Sequence, residues 1–180
     1  MQARTHVASS PHALPLWPDL EAAWAATQHG EQGEVAKGAG RWRLLKGESR
    51  TRVLHLEADG FPPLVLKIYA TPSRLAWRTL GMVSRANREF TVMMEAHRRG
   101  LPVVRPCYRI ELRRAGCLRF GALALEAVDG LNLESVLDRK GLPDEERRRL
   151  ARLTGELLGR FHRGGLQWST ATPRNLLLIQ

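Results

Sequence analysis

The stretch LVLKIY, residues 64–69, places one lysine inside an apolar run. A short run rich in Val, Ile, Leu and Tyr predicts a β-strand. Lys67 then needs a partner on its face of the sheet, because an unpaired charge among apolar side chains is costly. The alternative is an edge strand whose lysine points to water, and this stretch alone does not decide between the two.

The stretch SRANREF opens a predicted helix over residues 84–99. Ala86 and Met93 belong to its apolar face, which repeats at helical spacing. Glu89 lies three residues after Ala86 and four before Met93, so it belongs to the same face and should point toward the sheet. We therefore predict an ion pair between Glu89 and Lys67. A Lys–Glu pair positions nucleotide phosphates in kinases, and a purely structural ion pair is the alternative.

Outward from these stretches, the sequence predicts an α+β fold, with an antiparallel sheet and one helix packed across it. Residues 1–16 are expected to be loose, and the glycine-rich residues 30–40 are expected to form a linker. The predicted strands are two around the turn at 46–50, one at 64–69, and two at 104–112 and 117–126. One predicted helix begins near Pro18, and three others cover residues 84–99, 131–139 and 144–163.

Three further segments are candidates for binding phosphate, adenine and metal. The turn at Gly47 and Ser49 follows a predicted strand and could contact phosphate, although most such turns are simple hairpins. A predicted strand ends at Glu126, and Glu126 to Val128 stand at the position of the hinge in a two-lobed kinase, where backbone groups bind adenine. Asn175 follows a long helix and a Gly-Gly turn, which is the position of a magnesium ligand in kinases.

The order of these segments resembles the Kdo/WaaP lipopolysaccharide-kinase family within the protein-kinase-like superfamily. The resemblance covers roughly residues 41–180. It is carried by LVLKIY, SRANREF, RRGLPVVRP, LALEAVDGLNLESVL and LLGRFHRGGLQWSTATPRNLLL. It implies a kinase-like N-lobe at 41–128 and the first helices of a C-lobe at 129–180, after an N-terminal extension with a short helix at 1–40.

The resemblance also implies a set of functional roles. Lys67 would hold the α- and β-phosphates of ATP, and Glu89 would pair with it. Residues Glu126–Val128 would line the adenine pocket, and Asn175 would bind Mg²⁺. The family phosphorylates sugars of the lipopolysaccharide inner core on the cytoplasmic side of the inner membrane.

The catalytic loop departs from the family pattern. Thr170 stands where the family has the aspartate base, and Trp168 stands where it has a histidine. The sequence ends five residues after Asn175, before a DFG-like aspartate. We therefore expect weak or absent phosphoryl transfer. One alternative is a pseudokinase that binds nucleotide or a protein partner. Another is a basic nucleic-acid-binding module, which is disfavoured because no helix-turn-helix, RRM, KH or zinc pattern is present and the arginines are spread over several elements.

Charge and composition bear on partners and location. The chain has 28 Lys and Arg against 18 Asp and Glu, a net charge of +10, which favours polyanions such as lipopolysaccharide or an anionic membrane surface. A solvated, arginine-rich surface is the alternative. The sequence has no run of ~18 apolar residues, so we expect a cytoplasmic protein, with peripheral membrane contact as a further expectation. The arginines expected to gather on one side are Arg74, Arg78, Arg85, Arg88, Arg147–Arg149 and Arg152.

Two segments have competing interpretations. Residues 71–83, TPSRLAWRTLGMV, could rest on anionic headgroups, or could pack Trp77 and Leu80 onto the lobe. Cys107 and Cys117 are expected on two arms of one hairpin, as reduced thiols, with Cys107 opposite a residue near Ala122.

Overall fold

The computed structural model describes residues 2–8, 20–30, 32–34, 40–58, 61–167 and 172–179. The strands within these ranges are β1 (Gln2–Ala8), β2 (Gln32–Glu34), β3 (Arg41–Gly47), β4 (Thr51–Ala58), β5 (Phe61–Ala70), β6 (Pro106–Arg114), β7 (Cys117–Glu126), β8 (Leu131–Asn132) and β9 (Leu177–Leu178). The α-helices are α1 (Leu20–His29), α2 (Arg85–Arg98), α3 (Leu133–Leu137) and α4 (Asp144–Arg163). Two 3₁₀ helices cover Ser73–Thr79 and Pro173–Asn175.

The chain divides into two compact units. The first contains residues 1–94 and 104–127, and the second contains residues 95–103 and 128–180. Seven described strands of the first unit form one antiparallel sheet in the order β1-β6-β7-β5-β4-β3-β2. The β5 strand therefore lies at the centre, between β4 and β7.

One face of this sheet forms the main core of the first unit. Alternate residues of a strand point to the same face, so Leu64, Leu66 and Ile68 of β5 share it and are buried. The α1 helix covers this face with Leu20 and Ala23, which belong to the same apolar cluster. The opposite face carries Val65 and Tyr69, which pack with α2.

The α2 helix lies close to its face of the sheet because small residues meet there. Ala86 is fully buried, and a Cβ built on Gly121 of β7 would stand 3.2 Å from the Ala86 Cβ. Phe90 packs in the same cluster as Leu123 and Leu125 of β7. This contact fixes which residues of α2 can reach the sheet.

The β6–β7 hairpin closes through a two-residue turn at Ala115 and Gly116. Both residues have positive φ, 49° and 77°, which is the backbone of a type I′ turn. Cys117 pairs with Arg114 across the hairpin. Both cysteines are free thiols, in agreement with the sequence. The predicted register of Cys107 is wrong, and its neighbours Pro106 and Tyr108 lie opposite Leu125 and Ala124. The reason is that the turn lies at Ala115 and Gly116, later than expected, and that the strand pairing has two register shifts.

The second unit is built on the long helix α4. Asp144, Glu145 and Glu146 occupy its first turn, where carboxylates favour the positive end of a helix, and it ends at a Gly-Gly turn. Buried Leu150 packs with Leu133, Val136 and Leu176. The short β8–β9 pair joins Leu131 to Leu178. The sequence prediction of a helix over 144–163 is confirmed at both ends.

The N-terminal residues differ from the sequence expectation. Residues 2–8 were expected to be loose, but they form β1 and pair with β6 along seven residues. Part of the expected linker forms β2, which pairs with β3. No described helix is long and apolar enough to span a bilayer.

Candidate functional site

Lys67 lies in the middle of β5, on the sheet face that packs against α2. Its neighbours on this face are Val65 and Tyr69 of the same strand, with Val53 of β4 and Leu123 of β7 directly opposite. The side chain is half-buried. The lysine is therefore on a largely apolar surface rather than at an edge strand, which removes the alternative of an edge lysine.

Glu89 points toward the sheet as expected, but its partners are Tyr69 and Arg85. Its carboxylate accepts a hydrogen bond from the Tyr69 hydroxyl at 2.7 Å and one from Arg85 Nε at 2.8 Å. No ion pair joins Lys67 to Glu89 in the described part of the chain, so that prediction is wrong for this structure. The physical reason is axial position: Glu89 lies over Tyr69, two residues beyond Lys67 on the same face.

Burial and charge keep the Tyr69 hydroxyl protonated where it meets Glu89. Burial raises the pKa of Tyr69 well above its ordinary value, and the Glu89 carboxylate raises it further. Tyr69 is therefore a hydrogen-bond donor throughout the physiological pH range. The Arg85 guanidinium also lies over the Tyr69 ring at 4.8 Å, but its side chain is 64% exposed, so its ion pair with Glu89 adds little to stability.

The turn after β3 is a closed hairpin. The Glu48 amide donates to the Thr51 carbonyl at 2.8 Å, and Lys46 pairs with the Glu48 carboxylate at 2.6 Å. Gly47 is the last residue of β3, and Ser49 is exposed beyond it. Their contact with phosphate stays a prediction.

The strand end at Glu126 is held by backbone hydrogen bonds. The Glu126 amide donates to the Arg105 carbonyl, and the Ala127 amide donates to the Pro63 carbonyl, both at 3.0 Å. These bonds fix the path of the chain where β7 ends. The proposed adenine contacts of Glu126 and Val128 stay predictions.

Asn175 closes the 3₁₀ helix at Pro173–Asn175 and is exposed. Its backbone amide donates to the Thr172 carbonyl at 2.9 Å, and Leu176 next to it is buried. Thr170 and Trp168 lie outside the described residues. Within the described ranges, no group of three or more His, Cys, Asp or Glu side chains could hold a metal ion.

Sequence reasoning missed Tyr69 as a functional neighbour. The signal was available, because the alternation of LVLKIY puts Tyr69 on the same face as Lys67.

Sequence reasoning also favoured packing of Trp77 and Leu80 onto the lobe over contact with anionic headgroups. That alternative is wrong, because both side chains are largely exposed.

An open depression of about 450 Å³ lies over β2, β3 and β4. The residues that line it are Gln32, Gly33, Glu34, Arg41, Trp42, Arg43, His55 and Glu57. Lys67 is not among the lining residues, so this depression is not the site predicted from the sequence.

Comparisons with known proteins relate most of this chain to one family of kinases. The model of the Lipopolysaccharide kinase (Kdo/WaaP) family matches residues 71–180, which include Glu89, Glu126, Val128 and Asn175 but not Lys67. The 3-deoxy-D-manno-octulosonic acid kinase of Xanthomonas euvesicatoria pv. vesicatoria is 34% identical over 109 residues, covering 58% of this chain and 39% of that protein. The enzyme of the same name from Xanthomonas oryzae pv. oryzae is 35% identical over 106 residues, with the same coverage.

A solved structure supports the fold. A mutant of the Mycobacterium tuberculosis PknI kinase domain superposes with a TM-score of 0.50 at 23% identity, covering 76% of this chain and 53% of that one. This likeness shows a protein-kinase-like fold and nothing further. The chain spans 39% of the length of the two curated relatives described above. Because the family model covers more than half of its residues, the chain belongs to the Lipopolysaccharide kinase (Kdo/WaaP) family.

Proposed function

We propose that this chain carries the ATP-binding part of a kinase that transfers phosphate to a sugar of the lipopolysaccharide inner core. The observation that supports it most is the position of Lys67. A half-buried lysine on an apolar sheet face, with Val53, Val65 and Leu123 around it, suits a planar base and its adjoining phosphates. The family match supports the same class of reaction.

The residues assigned to each part of ATP follow from the family resemblance. Lys67 would neutralise the α- and β-phosphates, with Gly47 and Ser49 of the neighbouring hairpin near them. Backbone groups of Glu126 to Val128 would bind adenine, and Asn175 would bind Mg²⁺. When bound, ATP supplies the phosphoryl group, and Mg²⁺ neutralises its charge.

Glu89 has a different role in the structure from the one the resemblance implies. Its carboxylate accepts from Tyr69 and Arg85, so the orientation of Lys67 by Glu89 is not supported by a direct contact. The proposal therefore rests on the placement of Lys67 and on the family, and not on a Lys–Glu pair.

Phosphoryl transfer by this chain should be slow because of Thr170. A threonine hydroxyl cannot accept a proton near neutral pH as an aspartate does, and loss of general-base help costs about 10²–10⁴-fold in rate. A chain that binds ATP without transfer would be a pseudokinase, with a protein partner as its target.

We place the protein in the cytoplasm, at the inner face of the membrane that carries its acceptor.

The test is phosphoryl transfer from ATP labelled at the γ-phosphorus to deacylated core oligosaccharide in the presence of Mg²⁺. The chain itself should transfer label near the background rate. Thr170→Asp should raise the rate by about 10²-fold or more, because it supplies a carboxylate base. Adding Lys67→Ala to that variant should abolish the gain.

Three outcomes contradict parts of this proposal. Rapid, Lys67-dependent transfer by the unaltered chain would show that Thr170 does not limit the reaction. Absence of transfer by both the unaltered chain and the Thr170→Asp variant, although ATP binds to each, would favour the pseudokinase. No binding of ATP at all would overturn the proposed function.

A further inference from the structure

The loop between β5 and α2, residues 71–83, exposes a cluster of large apolar side chains. The exposed fractions are 70% for Trp77, 66% for Leu80, 56% for Met82 and 55% for Val83. Single exposed apolar residues are ordinary in soluble proteins, but four within seven positions form a patch. We call residues 71–83 the apolar loop.

The backbone of the apolar loop is held firmly by the β6–β7 hairpin. Arg113 of β6 donates to the Met82 carbonyl at 2.7 Å and to the Thr79 carbonyl at 3.4 Å. The Leu118 amide donates to the Thr79 hydroxyl, and that hydroxyl donates to the Ala76 carbonyl at 2.5 Å. These hydrogen bonds attach the backbone of the apolar loop to the hairpin. The apolar side chains are therefore exposed although the backbone that carries them is anchored.

The second strand of the hairpin anchors the beginning of the loop. The Thr71 amide donates to the Arg119 carbonyl at 2.8 Å, and the Arg119 guanidinium donates to the Ser73 hydroxyl at 2.7 Å. Both ends of the loop are therefore attached to one hairpin. A rigid support of this kind lets a surface present side chains with little loss of conformational entropy on binding.

Every charged side chain in the apolar loop and in the first turn of α2 is an arginine. Residues 71–88 contain Arg74, Arg78, Arg85 and Arg88 and no Asp or Glu. Arg74, Arg78 and Arg88 are exposed, and the Arg78 guanidinium lies 5.8 Å from the centre of the Trp77 ring. Trp and Leu beside arginines are typical of segments that lie in a membrane interface.

We propose that the apolar loop docks the protein on the surface of an anionic phospholipid bilayer. Trp77, Leu80, Met82 and Val83 enter the boundary between headgroups and acyl chains, while Arg74 and Arg78 contact lipid phosphates. The choice of a bilayer as the occupant rests on the proposed function, since that function requires access to a lipid-linked acceptor. The surface itself is a feature of the fold and does not depend on phosphoryl transfer.

A second copy of the chain fits this surface less well. In a two-fold symmetric dimer the same patch faces itself, so the arginines of one copy would approach those of the other. Like charges across an interface disfavour association. An anionic bilayer instead offers the opposite charge and an apolar interior at the same surface.

The experiment is sedimentation of the chain with vesicles of phosphatidylcholine alone or with phosphatidylglycerol as a third of the lipid. Trp77→Ser with Leu80→Ser should weaken binding to the anionic vesicles about ten-fold or more, since two apolar side chains no longer leave water. The matched control is Val92→Ser with Leu153→Ser, two exposed apolar residues elsewhere, which should leave binding unchanged.

Charge is tested in the same way. Arg74→Glu with Arg78→Glu should abolish the preference for anionic vesicles, whereas Arg148→Glu with Arg152→Glu on α4 should weaken binding only slightly. Binding should also fall when salt is raised to ~1 M, where the Debye length is about 3 Å. Trp77→Phe should keep the affinity but lose the fluorescence quenching that brominated acyl chains cause in the unaltered chain.

Several results would overturn this inference. They are equal loss of binding in the apolar-loop variants and their controls, no quenching of Trp77, or a dimer that Trp77→Ser with Leu80→Ser converts to a monomer. Tighter binding to duplex DNA than to vesicles at matched salt would overturn it as well. ATP binding is measured without lipid, so its failure would refute the proposed function separately.

Discussion

At the scale of single residues, Tyr69 decides what Glu89 does. The two side chains share a hydrogen bond of 2.7 Å across the seam between β5 and α2. Because burial raises the pKa of Tyr69, the phenol keeps its proton and donates to Glu89 at neutral pH. The contact holds Glu89 over the far end of β5 rather than over Lys67.

Tyr69→Phe should lower the free energy of unfolding by about 1–2 kcal/mol at pH 7, because the Glu89 carboxylate loses a donor in a partly buried place. The folded-state pKa of Tyr69 is raised, so its contribution is complete below about pH 10 and is lost as the pH rises further. The difference between the two proteins should therefore shrink above pH 10. Urea unfolding at a series of pH values measures it.

The control is the other tyrosine. Tyr108 is buried, and its hydroxyl has no hydrogen-bond partner among the described residues. Tyr108→Phe should then leave stability at pH 7 unchanged or slightly increase it. Equal losses for both variants would contradict the role given to the Tyr69–Glu89 bond.

Ala115 is strained in the β6–β7 turn. Its φ of 49° is a left-handed conformation that costs an alanine roughly 1–2 kcal/mol, and type I′ turns favour Asn followed by Gly. Ala115→Asn should raise the free energy of unfolding by about 1 kcal/mol, measured by thermal or urea unfolding. The same change at the exposed helical residue Ala151 should be destabilising. A loss of stability at both positions would show that the turn is not of this type.

At the scale of elements, the close approach of α2 to the sheet places the residues of the site. Gly121 and Ala86 provide the contact, and a larger side chain on β7 would push the helix outward. Valine suits a strand well, so any loss at this position comes from packing.

Gly121→Val should lower the free energy of unfolding by about 1–3 kcal/mol, as overpacking does in a filled core. It should also weaken ATP binding, because α2 and β5 would no longer meet in the same way. The control is Gly155→Ala on α4, where an added Cβ meets nothing within 4 Å, and which should gain about 1 kcal/mol. Undiminished stability of Gly121→Val would contradict the close packing.

The sequence predicted elements well where local signals were complete. The α4 helix has acidic residues in its first turn, an amphipathic repeat and a Gly-Gly end, so both of its ends were predicted. The β1 strand was missed because its stability comes from pairing with β6, which lies far away in the chain. The β2 strand has three residues, too few for any alternation to be visible.

The sequence predicted which face of α2 and of β5 carries the candidate site residues, but it did not predict which of those residues are in contact. Helical spacing correctly put Glu89 on the sheet side of α2, and strand alternation is consistent with Lys67 on the facing side. Which strand residue lies under Glu89 depends on how far the helix is displaced along β5. Two residues of a strand span about 6.6 Å, so a small displacement exchanges Lys67 for Tyr69 as the nearest partner. Periodicity carries no information about that displacement.

At the scale of the whole molecule, the residues assigned to phosphate and the apolar loop belong to the first compact unit, and Asn175 belongs to the second. The first unit also contains the hairpin that holds the apolar loop. The proposed function therefore requires phosphate binding by the first unit and Mg²⁺ binding by the second. Nucleotide affinity tests phosphate binding by the first unit and does not require phosphoryl transfer.

The most direct test is the affinity of the chain for a fluorescent ATP analogue in the presence of Mg²⁺. We predict saturable binding that Lys67→Ala weakens about 10–100-fold, the loss expected when a charged hydrogen-bond donor to phosphate is removed. Lys140→Ala, an exposed lysine of the second unit, should bind as the unaltered chain does, and both variants should keep its melting temperature. Binding that is absent, or that Lys67→Ala and Lys140→Ala weaken equally, would contradict the assignment of Lys67 to the nucleotide phosphates.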